Sequence, residues 1–507
     1  MKYLIGADIG TSGTKTVLFT SDGAPIASKT IEYPLYQPQN GWAEQDPDDW
    51  WRAVAEGLKF VVGKSGCNPK DIAGIGLSGQ MHGLVMLDKS GAVLCKSIIW
   101  CDQRTSKQCA ELDSLVGRER MISITCSPPM TGFTASKILW VRENEPETYD
   151  KCAHILLPKD YIRYKLTGEF ATEVSDASGM QLMDIGERRW SKELLSILEI
   201  DEGMLAQIYE SPDITGEVSR EAARVTGLCA GTPVVGGAGD NAAAAVGTGV
   251  VAAGSAFTTI GSSAVIYAVS DVLKVDKKGR VHSLCASVPG KWTVMSCTQG
   301  AGVSLKWLRD NCCAEETAKA AKLNTDSYYL MDKLAESVPV GSGKLLFLPY
   351  LMGERSPHPD PDCRGVFFGL SASHTRANLI RAVLEGVAFS QRECLDVFRG
   401  MGVPVNDMTL TGGGGKSALW RQMLSDLYGC PVKVLESDEG AALGAALLAA
   451  VGTGVYKNLD EACSAAVKKK KAAVPSKERS AEYEPYFKLY KKLYRSLFDD
   501  FKALSTI

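Results

Sequence analysis

One local pattern occurs twice in the chain and limits the folds open to it. Residues 3–9 are an apolar run that predicts a buried strand, and a turn of small residues at 10–13 leads into a second strand at 15–20. Residues 256–268 show the same order of strand, small-residue turn and strand. A chain of 507 residues is also too long for one ordinary core. The repeat therefore predicts two related lobes.

Helices and strands alternate after the first hairpin, as is typical of layered α/β folds. Apolar residues recur at helical spacing between residues 50 and 62, and a short apolar strand follows at 72–77. We expect an α/β protein with an N-terminal lobe over residues 1–249 and a C-terminal lobe over residues 250–507. A glycine-rich run at 236–249 would line the junction, where hinges and clefts commonly lie. A basic run at 468–471 is predicted to be a solvated helix face.

The composition excludes several classes of protein. The net charge of −3 gives no reason to expect nucleic acid or an anionic membrane as a partner. The fifteen cysteines are an odd number without a C-x-x-C pair, which indicates reduced thiols rather than a disulfide framework. The sequence reaches Asp8 without a signal-peptide core, and glycines interrupt the uncharged stretch at 241–270, which makes it a poor membrane span. We expect a cytoplasmic protein.

The first hairpin carries side chains suited to a nucleotide phosphate site. Asp8 ends the buried strand, and a carboxylate there can hold Mg²⁺ through water because Mg²⁺ keeps several of its waters. The backbone N–H groups and hydroxyls of Thr11 and Ser12, with Lys15 beyond them, can face phosphate oxygens. An ordinary hairpin with a capping Asp8 explains the segment equally well.

The second hairpin repeats the turn chemistry with Gly261 and Ser262. A plain hairpin turn explains this segment when it is taken alone. Two such turns that face each other can clamp a polyphosphate from both sides of a cleft. The pair is therefore a stronger indication of a phosphate site than either turn.

Four consecutive glycines follow an apolar strand at residues 410–417, whose sequence is Leu-Thr-Gly-Gly-Gly-Gly-Lys-Ser. The end of this segment is similar to a Walker A phosphate loop, but position 410 holds Leu where that motif needs its first glycine. A Walker A loop is therefore rejected. Glycines instead let a flat ligand such as adenine approach the backbone closely.

An aspartate lies among glycines and alanines at the predicted lobe junction, in residues 237–242. The segment fits G-x-G-x-x-A, so a dinucleotide site is an alternative, but no acidic residue occurs between Asp240 and Asp271 to complete it. Asp240 is better suited to act as a general base. The alternative is that Asp240 caps the alanine-rich helix that follows, and the two roles are compatible.

Two polar clusters follow predicted strands, at residues 80–83 and 100–104. Polar groups at strand ends of an α/β sheet commonly reach a ligand. A single histidine such as His82 is more often structural, and Asp102 with Arg104 fits a buried ion pair equally well.

Two long segments resemble the signatures of the FGGY carbohydrate kinases, within the actin-like ATPase superfamily. Residues 132–144 are similar to the first signature and residues 365–385 to the second, and the resemblance extends over essentially the whole chain. It implies two actin-like (ribonuclease H-like) ATPase lobes around a central cleft, with the sugar site and catalytic base in the N-terminal lobe and the nucleotide site in the C-terminal lobe. It also implies a phosphotransferase with an alcohol group as acceptor, and ATP and Mg²⁺ as cofactors.

The resemblance further implies a role for each candidate residue. Residues 78–83, 100–105, 239–241 and 353–358 are most similar to members that convert D-xylulose into D-xylulose 5-phosphate. By this likeness Asp240 accepts the proton, Asp8 lies near the metal, and Met81 and His82 contact the sugar, with Asn241 as a further sugar-binding candidate. The positions where relatives hold the nucleotide correspond to Gly261, Gly302, Gly414 and Ser417. Two departures are Ser262, where Thr is usual, and Cys101, where relatives often carry Asn.

Other functions remain open from the sequence. Within the family, ribulose, gluconate, glycerol or another polyol is a rival acceptor. Outside it, an ATPase switch like actin or the heat-shock chaperones would share the phosphate turns but would not need the clusters at Met81 and Asp240. The expected partners are a small-molecule sugar and ATP, without nucleic acid or membrane. A homodimer is compatible with the sequence.

Overall fold

The computed structural model describes residues 2–436 and 439–507, which form two lobes, each built on a mixed seven-stranded sheet. The first sheet has the spatial order Ile214–Glu217, Pro233–Val235, Ile72–Gly79, Tyr3–Ile9, Gly13–Thr20 and Pro25–Glu32, with Ala238–Gly239 also paired to Ile72–Gly79. The second sheet has the order His282–Cys285, Trp292–Thr298, Ala264–Ser270, Gly254–Ile260, Val405–Thr411, Val432–Leu435 and Lys469–Ala473.

The two sheets share one connectivity, as the repeated hairpin predicts. Strand Tyr3–Ile9 pairs antiparallel with Gly13–Thr20 and parallel with Ile72–Gly79. In the second lobe, Gly254–Ile260 pairs in the same two ways with Ala264–Ser270 and Val405–Thr411. The α/β fold with two related lobes is thereby confirmed. The boundary near residue 250 stays a prediction, since helix Gly440–Gly452 packs on strands of the first sheet.

Helices cover both sheets, and short strand pairs complete the lobes. The α-helices are Pro47–Ser65, Ser106–Leu115, Arg118–Thr125, Thr134–Asn144, Pro146–Lys151, Pro158–Thr167, Val174–Ala177, Lys192–Leu198, Arg220–Thr226, Asp240–Gly247, Gly302–Cys312, Ala314–Leu323, Ser327–Glu336, Arg376–Gly400, Ala418–Tyr428, Gly440–Gly452, Leu459–Ala466 and Lys477–Ser505. The short pairs are Glu44–Gln45 with Ser97–Ile98, Val85–Leu87 with His154–Leu156, Ala171–Glu173 with Gln207–Tyr209, Met183–Asp184 with Arg189–Trp190, and Leu346–Leu348 with Val366–Phe368. Within residues 2–436 and 439–507, no helix is both long and apolar enough to span a membrane.

Local sequence signals set the first helix. Asp46 caps its start by accepting a hydrogen bond from the Asp48 N–H, and Pro47 occupies the first helical position, which needs no N–H donor. Gly66 ends it in a left-handed conformation with φ 67°. The helix Pro47–Ser65 therefore contains the helical stretch predicted at residues 50–62.

The helix predicted for the basic run at 468–471 is wrong. Lys469–Ala473 is a strand at the edge of the second sheet, paired antiparallel with Val432–Leu435. An edge strand has one unpaired side, and lysines there discourage pairing with another chain. Charge is thus compatible with a strand at this position as well as with a helix.

An apolar cluster joins the two lobes through two helices of small residues. We call Asp240–Gly247 the short junction helix and Gly440–Gly452 the long junction helix. Both pack between Leu4 and Phe19 of the first sheet and Phe257 of the second, and all these residues belong to one buried cluster. The junction between the lobes is therefore a packed core.

Glycines allow the long junction helix to touch its neighbours through the backbone. A Cβ atom on Gly6 or on Gly76, in two adjacent strands, would lie 1.8 Å from a carbonyl oxygen of this helix. A Cβ on Gly444 would lie 1.8 Å from the carbonyl oxygen of Ala243 in the short junction helix. No side chain fits at these distances, so the helices and strands can approach this closely only where Cβ is absent.

We predict that Gly444→Ala destabilises the protein by about 1–3 kcal/mol or more, because the added methyl group must push two backbones apart. The matched control is Gly400→Ala at the end of helix Arg376–Gly400, where a Cβ meets no atom within 4 Å. That change should be neutral or should stabilise by up to about 1 kcal/mol through helix propensity. Urea unfolding measures both variants, and equal midpoints would contradict the close-packing argument.

Candidate active site

Asp8 lies at the end of the first strand, beside the strand Ile72–Gly79. Its Oδ1 accepts a hydrogen bond from the Ser78 hydroxyl at 2.7 Å, and the register places Ser78 directly opposite it. Burial raises the pKa of Asp8, although the Ser78 hydrogen bond and the charge of Lys15 act in the other direction. The strand end therefore presents a carboxylate that is held in place and only partly solvated.

Asp240 is the first residue of the short junction helix. Its Oδ1 accepts hydrogen bonds from the Asn241 N–H at 2.7 Å and from the Asn241 side-chain amide at 2.8 Å. Burial, followed by the negative charge of Asp8, raises the pKa of Asp240 to about 7. The N-cap position of this helix is occupied by Gly239 and not by Asp240. The Asp240 carboxylate instead accepts from the N–H of the next residue in the first turn. A carboxyl group with this pKa can exchange a proton near neutral pH.

Met81 and Asn241 lie on one small pocket where the lobes meet. The pocket is also lined by Tyr267, Leu284 and Met295 of the second sheet. Met81 packs on Gly239, where a Cβ would lie 2.8 Å from the Met81 Cγ. The structure therefore brings Met81, Asn241 and the backbone before Asp240 together.

The His82 ring is held by one stacking contact and one hydrogen bond. The φ of His82, 69°, is left-handed, its ring stacks on Phe133 with centroids 4.2 Å apart, and Nδ1 lies 3.0 Å from the Gly179 carbonyl oxygen. Burial lowers the pKa of His82 well below its ordinary value, and the charge of Lys137 adds to the shift. Because a carbonyl oxygen can only accept, Nδ1 carries the proton and Nε2 is left as an acceptor.

The turn of the first hairpin is closed by a backbone hydrogen bond from the Gly10 N–H to the Gly13 carbonyl oxygen, 3.0 Å long. The Trp100 indole N–H donates to the Thr11 hydroxyl at 2.9 Å. Ser12, at the tip of the turn, is exposed. Lys15 forms an ion pair of 2.8 Å with Glu439, just before the long junction helix, so its predicted contact with phosphate stays a prediction.

The nucleotide candidates of the second lobe surround the end of strand Gly254–Ile260. The Gly302 N–H donates to the Gly261 carbonyl oxygen at 2.8 Å, and the Ala301 N–H donates to the Ser262 carbonyl oxygen at 3.1 Å. A Cβ on Gly414 would lie 2.5 Å from Cγ2 of Ile260. The structure thus brings three separate segments together.

Ser417 lies next to this group and caps a helix. Its hydroxyl accepts a hydrogen bond of 3.0 Å from the Trp420 N–H at the start of Ala418–Tyr428. The helix therefore begins at the glycine-rich turn, and an N-terminus of this kind presents N–H groups to an anion.

Asp102 and Arg104 form the buried ion pair that the sequence left as an alternative. The guanidinium of Arg104 donates to Asp102 and to Glu44, each at 2.8 Å, and lies 3.6 Å from the ring centroid of Trp42. Asp102 also accepts from the Ala43 N–H at 2.6 Å. These contacts hold the loop and leave neither residue free for a ligand.

Three residues near the candidate site were missed from the sequence. Phe133 stacks on His82, and the Lys137 ammonium donates to the His82 carbonyl oxygen at 2.8 Å. Burial lowers the pKa of Lys137 to about 7. In the second lobe, Glu354 accepts from the Gln299 N–H at 2.7 Å, and burial raises its pKa to about 8. All three lie in the segments that carry the family resemblance, which was the available signal.

Comparison with known proteins places the chain in a class. The patterns of the FGGY family of carbohydrate kinases match it twice, the N-terminal domain over residues 3–247 and the C-terminal domain over residues 256–453. The chain belongs to the FGGY family of carbohydrate kinases. It therefore has the two-lobed, actin-like fold of that family, and ATP is the family's phosphate donor.

Individual relatives extend over nearly the whole chain. The xylulose kinase of Bacillus subtilis is 38% identical over 97% of this chain and 97% of its own length. The gluconokinase of Bacillus licheniformis is 32% identical over 99% of this chain and 98% of its own. The crystal structure of xylulose kinase from Rhodospirillum rubrum superposes with a TM-score of 0.91, at 30% identity, over 99% of this chain and 100% of that one.

Proposed function

We propose that this protein transfers the γ-phosphate of ATP to D-xylulose and forms D-xylulose 5-phosphate. The observation that carries the proposal is the placement of Asp240, with a pKa raised to about 7, beside the pocket lined by Met81 and Asn241. Relatives named xylulose kinase match 97% of the chain, which supports this acceptor. Gluconate remains the second candidate, since a gluconokinase is 32% identical over a similar span.

The proposed mechanism relies on position and charge. Phosphoryl transfer through a loose transition state needs aligned reactants and neutralised charge more than covalent help. Asp240 removes the proton of the attacking hydroxyl. Gly261, Gly302 and Gly414 let the nucleotide lie against the backbone, and the turn at Thr11 and Ser12 faces its phosphates. Closure of the lobes on the sugar excludes water.

The residues present fit a Mg²⁺ ion that arrives with ATP. The described residues contain no cluster of three or more His, Cys, Asp or Glu side chains that could hold a metal. Mg²⁺ needs no such cluster, because one or two carboxylates, phosphate oxygens and water complete its octahedron. Asp8 would hold it, since its carboxylate is fixed by Ser78 at the strand end and its negative charge contributes to the raised pKa of Asp240. The ion would neutralise phosphate charge during transfer.

The acceptor specificity is assigned to His82, Asn241 and Met81. His82 offers Nε2 as an acceptor and the Asn241 amide can both donate and accept, whereas Met81 forms an apolar wall. A site built to bond a hydroxyl can reject an analogue lacking it by about 10⁴–10⁵.

We also propose the lobe division at residues 249 and 250 and a cytoplasmic location. A homodimer stays a prediction.

We expect Asp240→Asn to fold normally, to keep its ATP affinity and to lower kcat by about 10²–10⁴, the usual contribution of a positioned general base. Asparagine fills the same volume but accepts no proton. Asp460→Asn is the control, since Asp460 is an exposed first-turn aspartate of helix Leu459–Ala466. Coupled detection of ADP measures both. Turnover of Asp240→Asn near the wild-type value would remove Asp240 from this role.

The pH dependence should show the same carboxyl group. Asp240 must be ionised to accept a proton, and its pKa is raised to about 7, so the active fraction is lost as the pH falls through that value. We expect kcat/KM to fall about tenfold per pH unit below pH 6 and to level off above pH 8. A profile that stays flat from pH 5.5 to 8 would disagree with this assignment.

The acceptor is tested by kcat/KM for xylulose, ribulose, gluconate and glycerol. We expect xylulose to have the highest kcat/KM. His82→Ala should raise the KM for xylulose and reduce the difference in kcat/KM between xylulose and the other acceptors, because an acceptor for one sugar hydroxyl is lost. His154→Ala is the control, since His154 also stacks on an aromatic ring, that of Phe170 at 3.8 Å. An equal loss for all four acceptors would indicate that His82 only orders its loop. ATP turnover that no sugar stimulates would favour the ATPase switch.

A further inference from the structure

A network of ionisable side chains lies fully buried behind the candidate site. The Lys159 ammonium contacts Asp160 at 2.7 Å and both Glu173 and Asp176 at 3.3 Å, and Arg163 pairs with Asp160. All five side chains have an exposure of 0%. Taking such charges out of water is costly, and close pairing with hydrogen bonds is needed to offset that cost.

The network reaches the backbone immediately before Asp240 through Ser175. The Ser175 hydroxyl donates to Glu173 Oε1 at 2.9 Å and accepts from the Gly239 N–H at 3.1 Å. Glu173 Oε2 accepts in turn from the Ser175 N–H at 2.8 Å. Glu173 thus orients the Ser175 hydroxyl, and that hydroxyl accepts the Gly239 N–H.

A second connection fixes the chain a few residues earlier. The Ser211 hydroxyl donates to Glu173 Oε2 at 2.7 Å, and the Ser211 carbonyl oxygen accepts from the Gly237 N–H at 2.9 Å. Gly237 has a left-handed φ of 69°, and a Cβ there would lie 2.1 Å from the Leu77 carbonyl oxygen. Glu173 therefore supports both ends of the short segment that leads into Asp240.

The network holds more carboxyl groups than cations. Two cations face three carboxyl groups. Burial raises the pKa of Asp176 well above its ordinary value, which favours its neutral form and reduces the negative charge behind Asp240.

We propose that Ser175, oriented by Glu173 and Lys159, is a positioning residue that fixes the Gly239 N–H and thereby sets the direction of the Asp240 carboxylate. The inference rests on Asp240 being the general base of the proposed function. Ser175 also lines the small pocket of Met81 and Asn241, but its hydroxyl is bonded to Glu173 and to the Gly239 N–H. In this assignment its effect on turnover passes through Asp240, and an unchanged KM for the sugar distinguishes that role from a direct sugar contact.

The test is a double-mutant cycle of Ser175→Ala and Asp240→Asn, with xylulose, ATP and ADP detection. Ser175→Ala should lower kcat by about 5- to 20-fold, because the Gly239 N–H and Glu173 lose a partner, and should change both KM values less than about twofold. In the Asp240→Asn background it should cause no further loss, since the group that it positions is gone.

Ser191→Ala is the matched control, because Ser191 is also a buried serine of the first lobe whose hydroxyl accepts a backbone hydrogen bond, from the Leu194 N–H at 3.3 Å. It should lower the melting temperature about as much as Ser175→Ala and leave kcat unchanged. If Ser175→Ala does not fold, Ser175→Cys replaces it, because cysteine has a similar volume and a weaker hydrogen-bond acceptor. Its kcat should then fall in the Asp240 background and show no further fall in the Asp240→Asn background.

Two results would overturn the inference while leaving the proposed function intact. One is a kcat for Ser175→Ala equal to that of the control. The other is the same fold loss with and without Asp240, which would show that Ser175 acts on the fold in general. Full activity of the Asp240→Asn single mutant is a different result, since it would reject the base itself and the inference with it.

Discussion

The backbone of the long junction helix lies directly against two strands of the first sheet, and the geometry of the cleft follows from that contact. Helices usually pack with about 8–10 Å between axes because side chains separate them. Here Gly6, Gly76 and Gly444 remove those side chains at the points of contact. The long junction helix thereby holds the strand that carries Asp8 and, through Ala243, the helix that begins at Asp240.

This contact has an electrostatic consequence. Asp8 and Asp240 end elements that are packed on the same helix, so two carboxyl groups share a poorly solvated junction and each is raised in pKa. Perturbed acids of this kind concentrate at functional sites, where burial and like charge are tolerated for their chemistry. The second lobe contributes the turns at Gly261 and Gly302, which a backbone hydrogen bond joins and which we propose to face the nucleotide.

The sequence indicates those features that depend on local pattern. The strand Tyr3–Ile9, the helix Pro47–Ser65 and the repeated hairpin follow from periodicity and turn residues, and Asp8 and Asp240 were found because each ends or begins such an element. The strand Lys469–Ala473 was missed because a lysine-rich edge shows no alternation. The Lys159 network could not be predicted either. In the helix Pro158–Thr167 its charges have the spacing of a solvated face, and only tertiary packing buries them.

Each lobe has a buried carboxyl group behind the turn that we propose to face a ligand. Glu173 accepts N–H groups at the start of Val174–Ala177 and orients Ser175 toward Gly239, while Glu354 accepts the Gln299 N–H at 2.7 Å, three residues before Gly302. A carboxyl group on the far side of each turn accepts backbone hydrogen bonds and so helps to hold the shape of the turn. In the proposed assignment these buried groups pre-organise the site without contacting the substrate.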